Sequence, residues 1–580
     1  MGKDYAMRRI IAKAFEVLNK KEKRWIIPLV IMMLIGAALQ SLGVAVIIPL
    51  VSSLIDGTSV DSGVTGIFHS IFHTQDNTEF LVSMIILLIV VFVVKNIFLL
   101  SETFAQHSFT AKIRRRVQNR LLHYYLERPY SWFLDKDSGA ILRTITVDSD
   151  YYISLMNHIL DFFTLVIEMA VLVIVVFLIN PNITIILAIV LCVEYFIVIK
   201  FMRPVMRKYG KRYRESLARG NSQIVELMRG IKYVKASGKE NWFEERYDKE
   251  VKDLTRSKMM ERALQQAPGR FIEAVTIAAV LLYILFRVNT GEDVSALVPV
   301  LSAFVLAAAK LLPSVSSVSN AISYAGYYEG SLDNVLEIDR TLKKEEDTVL
   351  SEEPIVFSKQ ICFEDICYSY PGNNKRVLDK ASIIIPKNHS IGIVGPSGEG
   401  KTTLADVILG LLEFQSGRVY VDGKDIDISS VQWKKMFAYI PQQVFVLSGT
   451  ILDNIVFGQE PDNVNINKVW DALRSAQLEG FVRSLDDGLN TPAGEAGIRL
   501  SGGQIQRLGI ARAIYSDAPV LIFDEATSAL DYDTEAALLD AITGLHGKKT
   551  MLVIAHRTET IKTCDTVYRI EKGKAVNDNK

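Results

Sequence analysis

The chain is poor in cysteine. It has four, Cys192, Cys362, Cys367 and Cys564, and none has the company of zinc-binding residues. A disulfide framework and a structural zinc site are therefore excluded, and the four read as reduced structural thiols. Charge of one sign is also missing: 65 Lys and Arg balance 65 Asp and Glu. No global bias toward nucleic acid exists, and no nucleic-acid partner is expected. The basic, amphipathic start "MGKDYAMRRIIAKAFEVLNKKEKRW" lacks a small-residue cleavage site and is not a removable signal. Gly2 follows Met1, but Ala6 stands where N-myristoylation needs Ser or Thr. His69 and His73 stand four apart with no third ligand nearby, too little for a metal site.

Apolar residues are abundant. They make up 49% of the chain, and the mean hydropathy of +0.22 is high for a soluble protein. A membrane-crossing helix needs about 20 mostly apolar residues. Six segments qualify: 25–54, 79–104, 158–179, 183–203, 271–289 and 294–325. The outer connections 57–78, "NPN" and "NTGEDV" contain no Lys or Arg, whereas the N-terminal segment, 105–157 and 204–270 are rich in them. That alternation orients both termini toward the cytoplasm and places the chain in the cell membrane. The two long basic connections read as helical extensions of the spans. Each turns at a short connector, near "PYSWFLDKDSGAILRT" (129–144) and "GIKYVKASGKENWF" (230–243). Trp132, Phe133, Trp242 and Phe243 on these tips suggest docking. The division expected is a transmembrane domain at 1–325, a charged linker at 326–354, and an α/β domain at 355–580.

The α/β domain carries the chemistry. "SIGIVGPSGEGKTTLADVILGLL" reads as strand, Gly-rich turn and helix around G-x-x-x-x-G-K-[ST]. Gly395, Gly398 and Gly400 let backbone N–H groups of the loop, with Ser397, point inward to phosphates. Lys401 reaches the β- and γ-phosphates, Thr402 offers its hydroxyl to Mg²⁺, and Thr403 follows in the same turn. In "VLIFDEATSALD" (520–531) an apolar strand ends at Asp524, a candidate Mg²⁺ carboxylate, and Glu525 is placed to polarise water. "LSGGQ" (500–504) puts Ser501, Gly502, Gly503 and Gln504 at a helix start, another anion-binding end.

The ordered set "GPSGEGKT", "YIPQQ", "LSGGQ", "FDEATSALD" and "IAHR" resembles the nucleotide-binding domain of ABC transporters. With six preceding spans the whole chain resembles an exporter-type half-transporter of the type IV fold. That resemblance implies a helical six-span domain followed by a P-loop ATPase, with ATP and Mg²⁺ as cofactors. It implies that Tyr370 stacks on adenine, and that Gln442 (or Gln443, one register on) senses Mg²⁺ and the membrane domain. Ser501, Gly502 and Gly503 are implied to contact the γ-phosphate held by an opposing subunit, Asp531 to close the dimer loop, and His556 to hold Glu525 and water. "AGEAG", with Glu495, resembles the segment that touches the connectors, and Glu399 occupies a variable position of the phosphate loop. Two chains are then required, and since every motif is intact a homodimer is expected.

The cargo must be read from the membrane half. "VTGIFHSIFH" places Val64, Ile67, Phe68, Ile71 and Phe72 on one helical face, fit for the outer membrane surface or for packing on the spans. Lys95, Arg287 and Lys310 are cations within spans, where charge is costly and usually faces a cavity. Lys95 and Arg287 could instead snorkel to an interface; Lys95 and Lys310 are the substrate-cavity candidates. The outer helix, the Lys–Leu–Leu–Pro–Ser run at 310–314 and the second connector resemble flippases of lipid-linked oligosaccharides. A multidrug or general lipid exporter, and an ATP-gated channel or regulatory subunit on the same fold, are the alternatives.

Overall fold

The computed structural model describes residues 4–56, 77–179, 200, 203–289, 328–342 and 354–578, less 374, 461–462, 495–496, 498–499, 525–542 and 556–560. The chain forms two compact units. One comprises 1–128 with 136–348, the other 129–135 with 349–580.

The first unit is helical. Its long helices Asn77–Leu126 and Glu240–Asn289 have 50 residues each. At 1.5 Å per residue each is about 75 Å long, far beyond the ~30 Å hydrocarbon layer. The first basic connection thus begins as a continuation of the span in Leu81–Leu126, and the second ends in the single helix Glu240–Asn289. Three described helices are long and apolar enough to cross a membrane, over Lys20–Leu42, Leu81–Leu126 and Ser138–Val171. The expected spans 183–203 and 294–325 lie almost entirely outside the described residues, as does the outer segment 64–72. Apolar Ile86, Ile89, Val93, Ile97 and Leu100 are exposed along one helix, a surface suited to lipid.

Polar side chains tie the spans on their inner faces. Gln40 donates to Glu168 at 2.7 Å, and Gln106 donates to Glu102 at 3.1 Å and Thr164 at 3.2 Å. Lys95 lies on the same buried stripe, 4% exposed, with its ammonium 4.2 Å from the Phe92 ring centroid. It is packed among helices.

The start of the chain is an amphipathic helix, Asp4–Glu16, burying Ile10 and Ala14. The next helix begins with a reciprocal cap: Glu22 N–H donates to Asn19 and Asn19 N–H donates to Glu22, at 2.8 and 2.9 Å. Residues 328–342 differ from the expected linker. They form a helix that buries Leu332, Val335 and Leu336 within this unit. Its charges are paired across the chain, Arg340 with both oxygens of Glu16 at 2.7 and 2.8 Å, and Asp333 with Lys13. Ser331 and Asn334 donate to the fully buried Asp148 at 2.8 and 2.9 Å.

Both connectors are short helices within the expected segments. The first is the helix Tyr130–Phe133 behind Pro129, and the segment Pro129–Asp135 packs as part of the second unit. The second is Ile231–Ser237, stopped by Gly238 in the left-handed region at φ +61°. Trp242 beside it is exposed, with the Phe243 ring edge-on at 4.8 Å.

The second unit holds two sheets. An antiparallel sheet has the order β2-β1-β4-β5, with β1 Gln360–Tyr368, β2 Leu378–Pro386, β4 Ser416–Val421 and β5 Lys424–Asp425. The main sheet has the order β10-β9-β3-β8-β7-β6. Here β3 is Ser390–Val394, β6 Phe437–Ile440, β7 Val520–Asp524, β8 Thr550–Ile554, β9 Thr566–Glu571 and β10 Lys574–Asn577. Strands β6, β7, β8, β3 and β9 run parallel. Every residue of β7 and β8 is buried, as apolar runs covered on both faces should be.

Candidate nucleotide site

Ligands of parallel sheets sit beyond the carboxyl ends of the strands. The phosphate loop leaves β3 there, Asp524 ends β7, and the Gln442 loop leaves β6. Strand β8 ends level with them, Ile554 opposite Asp524. The sheet order thus gathers at one edge motifs that are far apart in sequence.

The loop geometry follows from its glycines. Gly395 has φ +150°, and a Cβ there would lie 2.5 Å from the Ile570 carbonyl oxygen. Gly400, at φ +102°, precedes the helix Lys401–Ile408 and would press a Cβ on Val377. No other residue fits both constraints. Lys401 is 5% exposed and donates to the Gly395 and Pro396 carbonyls at 2.8 and 2.9 Å. Glu399 also acts, accepting from the Lys572 N–H at 2.7 Å and so tying the loop to the β9–β10 hairpin. Thr402 is exposed, with its hydroxyl available to an incoming group, and Thr403 is buried. The Tyr370 hydroxyl is 3.1 Å from the Thr403 hydroxyl, which fixes the half-buried ring over the start of this helix. The Tyr368 ring meets it edge-on at 5.2 Å.

Asp524 is 5% exposed and accepts a hydrogen bond from the Tyr439 hydroxyl at 3.0 Å. Burial and then the charge of Asp524 push the Tyr439 phenol well above its ordinary value, so it remains a donor. Asp406, on the helix behind the phosphate loop, is a further carboxyl beside this edge. Burial, then the Asp524 charge, raises it to about 6. Sequence reasoning missed both Tyr439 and Asp406. For Asp406, a lone carboxylate in the apolar run "LADVILGLL" was the available signal.

These groups suit Mg²⁺. The described residues hold no cluster of three or more His, Cys, Asp or Glu. Mg²⁺ needs none: one or two oxygen ligands from protein, with phosphates and water, complete its shell. Thr402 and Asp524 offer such oxygens.

The Gln442 loop is anchored behind the site. Gln506 donates to the Gln442 carbonyl at 2.7 Å. Arg512 donates to the Phe445 carbonyl at 2.9 Å and the Asn454 carbonyl at 2.7 Å. Both come from the helix Gly502–Ser516, whose cap is Ser501: its hydroxyl accepts from Gln504 N–H, and Gln504 Oε1 accepts from Ser501 N–H. The LSGGQ segment and the Gln442 loop are therefore one packed piece. Gln442 and Gln443 are exposed at its surface, and a cavity of about 910 Å³ runs along Gln443–Gly449. Glu525, Asp531, His556, Glu495 and Lys310 lie outside the described residues.

Comparison with known proteins covers both units. The family model described as ABC transporter matches residues 378–528, and that of the ABC transporter transmembrane region matches 26–304. A protein of Desulfotalea psychrophila named ATP-dependent lipid A-core flippase is 29% identical over 474 residues, 81% of this chain and 80% of its own length. Its namesake in Mannheimia succiniciproducens is 28% identical over 517 residues, covering 86% and 85%. Among solved structures, a bacterial Atm1-family ABC exporter with ATP bound superposes with a TM-score of 0.76. It covers 96% of this chain and 94% of its own at 19% identity, and so speaks to the fold.

Proposed function

Because the chain belongs to the ABC transporters, with an exporter-type membrane region ahead of its ATPase domain, we propose that it flips an anionic amphipathic lipid. Hydrolysis of ATP coupled to transport comes with the family. The cargo rests chiefly on one observation: the named relatives that match across both halves of the chain are lipid flippases. The cation at Lys310 supports an anionic head group, because a charge at membrane depth needs compensation that a phosphate can supply. A lipid-linked oligosaccharide and a lipid A-type glycolipid both meet that description.

The working unit is a homodimer in the cytoplasmic membrane, both termini inside, with two ATP molecules between the nucleotide domains. Lys401 and the loop N–H groups bind the phosphates, Tyr370 the adenine, and Thr402, Asp524 and Gln442 hold Mg²⁺, which supplies charge neutralisation when bound. Glu525 orients water, with His556 beside it. Ser501, Gly502, Gly503 and Gln504 face the partner's nucleotide, and Asp531 closes the pair. Closure and parting of these domains, passed through the connectors, exchange the two access states.

Lys310→Ala in proteoliposomes is the test. Flipping is lost while basal ATP hydrolysis persists, and Lys310→Arg keeps part of the flipping. Undiminished flipping in the alanine variant, or preference for neutral drugs over anionic lipids, would overturn the reading.

A further inference from the structure

Glu399, the acidic residue inside the phosphate loop, is bonded outside that loop. Strand β9 runs parallel to β3, with Arg569 opposite Val394, so both end at the same edge of the sheet. Beyond that edge β9 turns back into β10, with Glu571 opposite Lys574. Lys572 and Gly573 make the turn at φ +50° and +76°, the two left-handed residues that a two-residue hairpin of this kind needs. The strand pairing leaves the Lys572 N–H outside the ladder, and Glu399 Oε2 accepts from it at 2.7 Å. The turn is itself anchored, because the Gly573 carbonyl accepts from the Asp379 N–H at 2.9 Å. Loop and turn also close on one atom. A Cβ on Gly573 would lie 2.8 Å from the Val377 carbonyl oxygen, and a Cβ on Gly400 would lie 3.1 Å from the same oxygen.

We propose that Glu399 is a positioning residue that pins the phosphate loop to the β9–β10 turn and so holds the N–H cradle in its binding shape before ATP arrives. The Lys401 ammonium also holds the loop, through the Gly395 and Pro396 carbonyls. Phosphates compete for that hold, because the ammonium is their ligand too. They do not compete for the Glu399 bond, whose donor belongs to the turn. A carboxylate in an anion-binding loop also repels phosphate, so its two effects on affinity have opposite signs. Removing the repulsion strengthens ATP binding. Removing the tether leaves only a fraction of loops competent and weakens binding in proportion. The tether is the larger effect, because the Glu399 side chain is partly exposed and its charge is screened. The inference rests on the reading of 395–403 as the phosphate loop.

The test uses the full-length protein in proteoliposomes. Hydrolysis is titrated with ATP at saturating Mg²⁺, and hydrogen exchange at the Lys572 amide is followed without nucleotide. Glu399→Ala should raise KM for ATP about fivefold, the effect of losing one partly screened hydrogen bond to a charged group. Its kcat should not change, since bound ATP orders the loop itself, and its Lys572 amide should exchange faster. Glu399→Gln keeps an acceptor oxygen, so it should stay within about twofold of the parent KM and keep the amide protected. An unchanged or lower KM in the alanine variant overturns the proposal. So does an equal rise in both variants, because the charge and not the tether would then be acting. A rise in KM accompanied by a fall in kcat also overturns it, marking a merely structural side chain. Unaltered exchange at Lys572 in the alanine variant overturns the link to the turn. Lys401→Ala serves as the separate check: if it binds ATP normally, the nucleotide reading of the loop has failed and Glu399 has nothing to position.

Discussion

Asn454 is the residue whose removal most directly exposes how the Gln442 loop is held. It is fully buried. Its amide donates to the Leu447 and Thr450 carbonyls at 3.1 and 3.0 Å, and its oxygen accepts from Leu447 N–H at 2.8 Å and Arg512 at 3.0 Å. Asn454→Ala deletes all four bonds. At ~1 kcal/mol each the ceiling is about 4 kcal/mol. Three of the deserted groups have other partners: the Thr450 carbonyl also accepts from Asn454 N–H, the Leu447 carbonyl from Gly449 N–H at 2.8 Å, and Arg512 keeps the Phe445 and Asn454 carbonyls. The Leu447 N–H loses the side-chain oxygen that held it. The net cost is therefore about 2–3 kcal/mol, mostly the deserted, part-buried Leu447 N–H. For a domain of this size that lowers the unfolding temperature by about 4–12 °C. Thermal unfolding of the detergent-purified full chain measures it. Asn454→Asp, which keeps the acceptors beside Arg512, should lose less. An alanine variant that unfolds within about 1 °C of the parent refutes the reasoning, because Arg512 and the Thr450 cap would then suffice.

Other outcomes are as definite. Glu525→Gln should bind ATP normally and nearly stop hydrolysis, trapping a closed dimer; near-normal turnover would remove Glu525 from its role. Asp406, raised to about 6, holds its proton more tightly folded than unfolded. Its contribution is present in full below about pH 4 and is lost as pH rises through about 6. The shift of about two units corresponds to ~3 kcal/mol, discounted to roughly 1 kcal/mol because the group is partly exposed and screened. Asp406→Asn should therefore flatten the fall in unfolding temperature between pH 5 and 7.5 in nucleotide-free protein; an unaltered slope contradicts the assignment.

The phosphate loop was legible because its chemistry is local: glycines, lysine and threonine act within nine residues of chain. Three of the six expected spans, those overlapping Lys20–Leu42, Leu81–Leu126 and Ser138–Val171, were legible for the same reason, as long apolar runs. Residues 328–342 misled. "DNVLEIDRTL" looks like a solvated linker, yet its charges meet Glu16 and Lys13 some 320 residues away, and its Leu332, Val335 and Leu336 are core. Pairings of that kind leave no mark in a local window. The burial of Lys95 comes from neighbouring helices that a local window does not show. Tyr439 escaped because its contact with Asp524 arises from strand order: β6 pairs with β7 although about eighty residues separate them in the chain. Gln442 itself was visible only through the resemblance; its carbonyl tether to Gln506 required the fold.

The proposed coupling is that ATP hydrolysis at this site drives an anionic lipid across the membrane. It is tested by flipping in proteoliposomes that contain only this chain, offered a lipid-linked oligosaccharide, a lipid A-type glycolipid, a neutral phospholipid and a neutral drug. ATP-dependent movement of an anionic lipid, absent in Glu525→Gln, is the expected result. Movement of the neutral compounds alone, or anionic flipping that proceeds equally without hydrolysis, would contradict it.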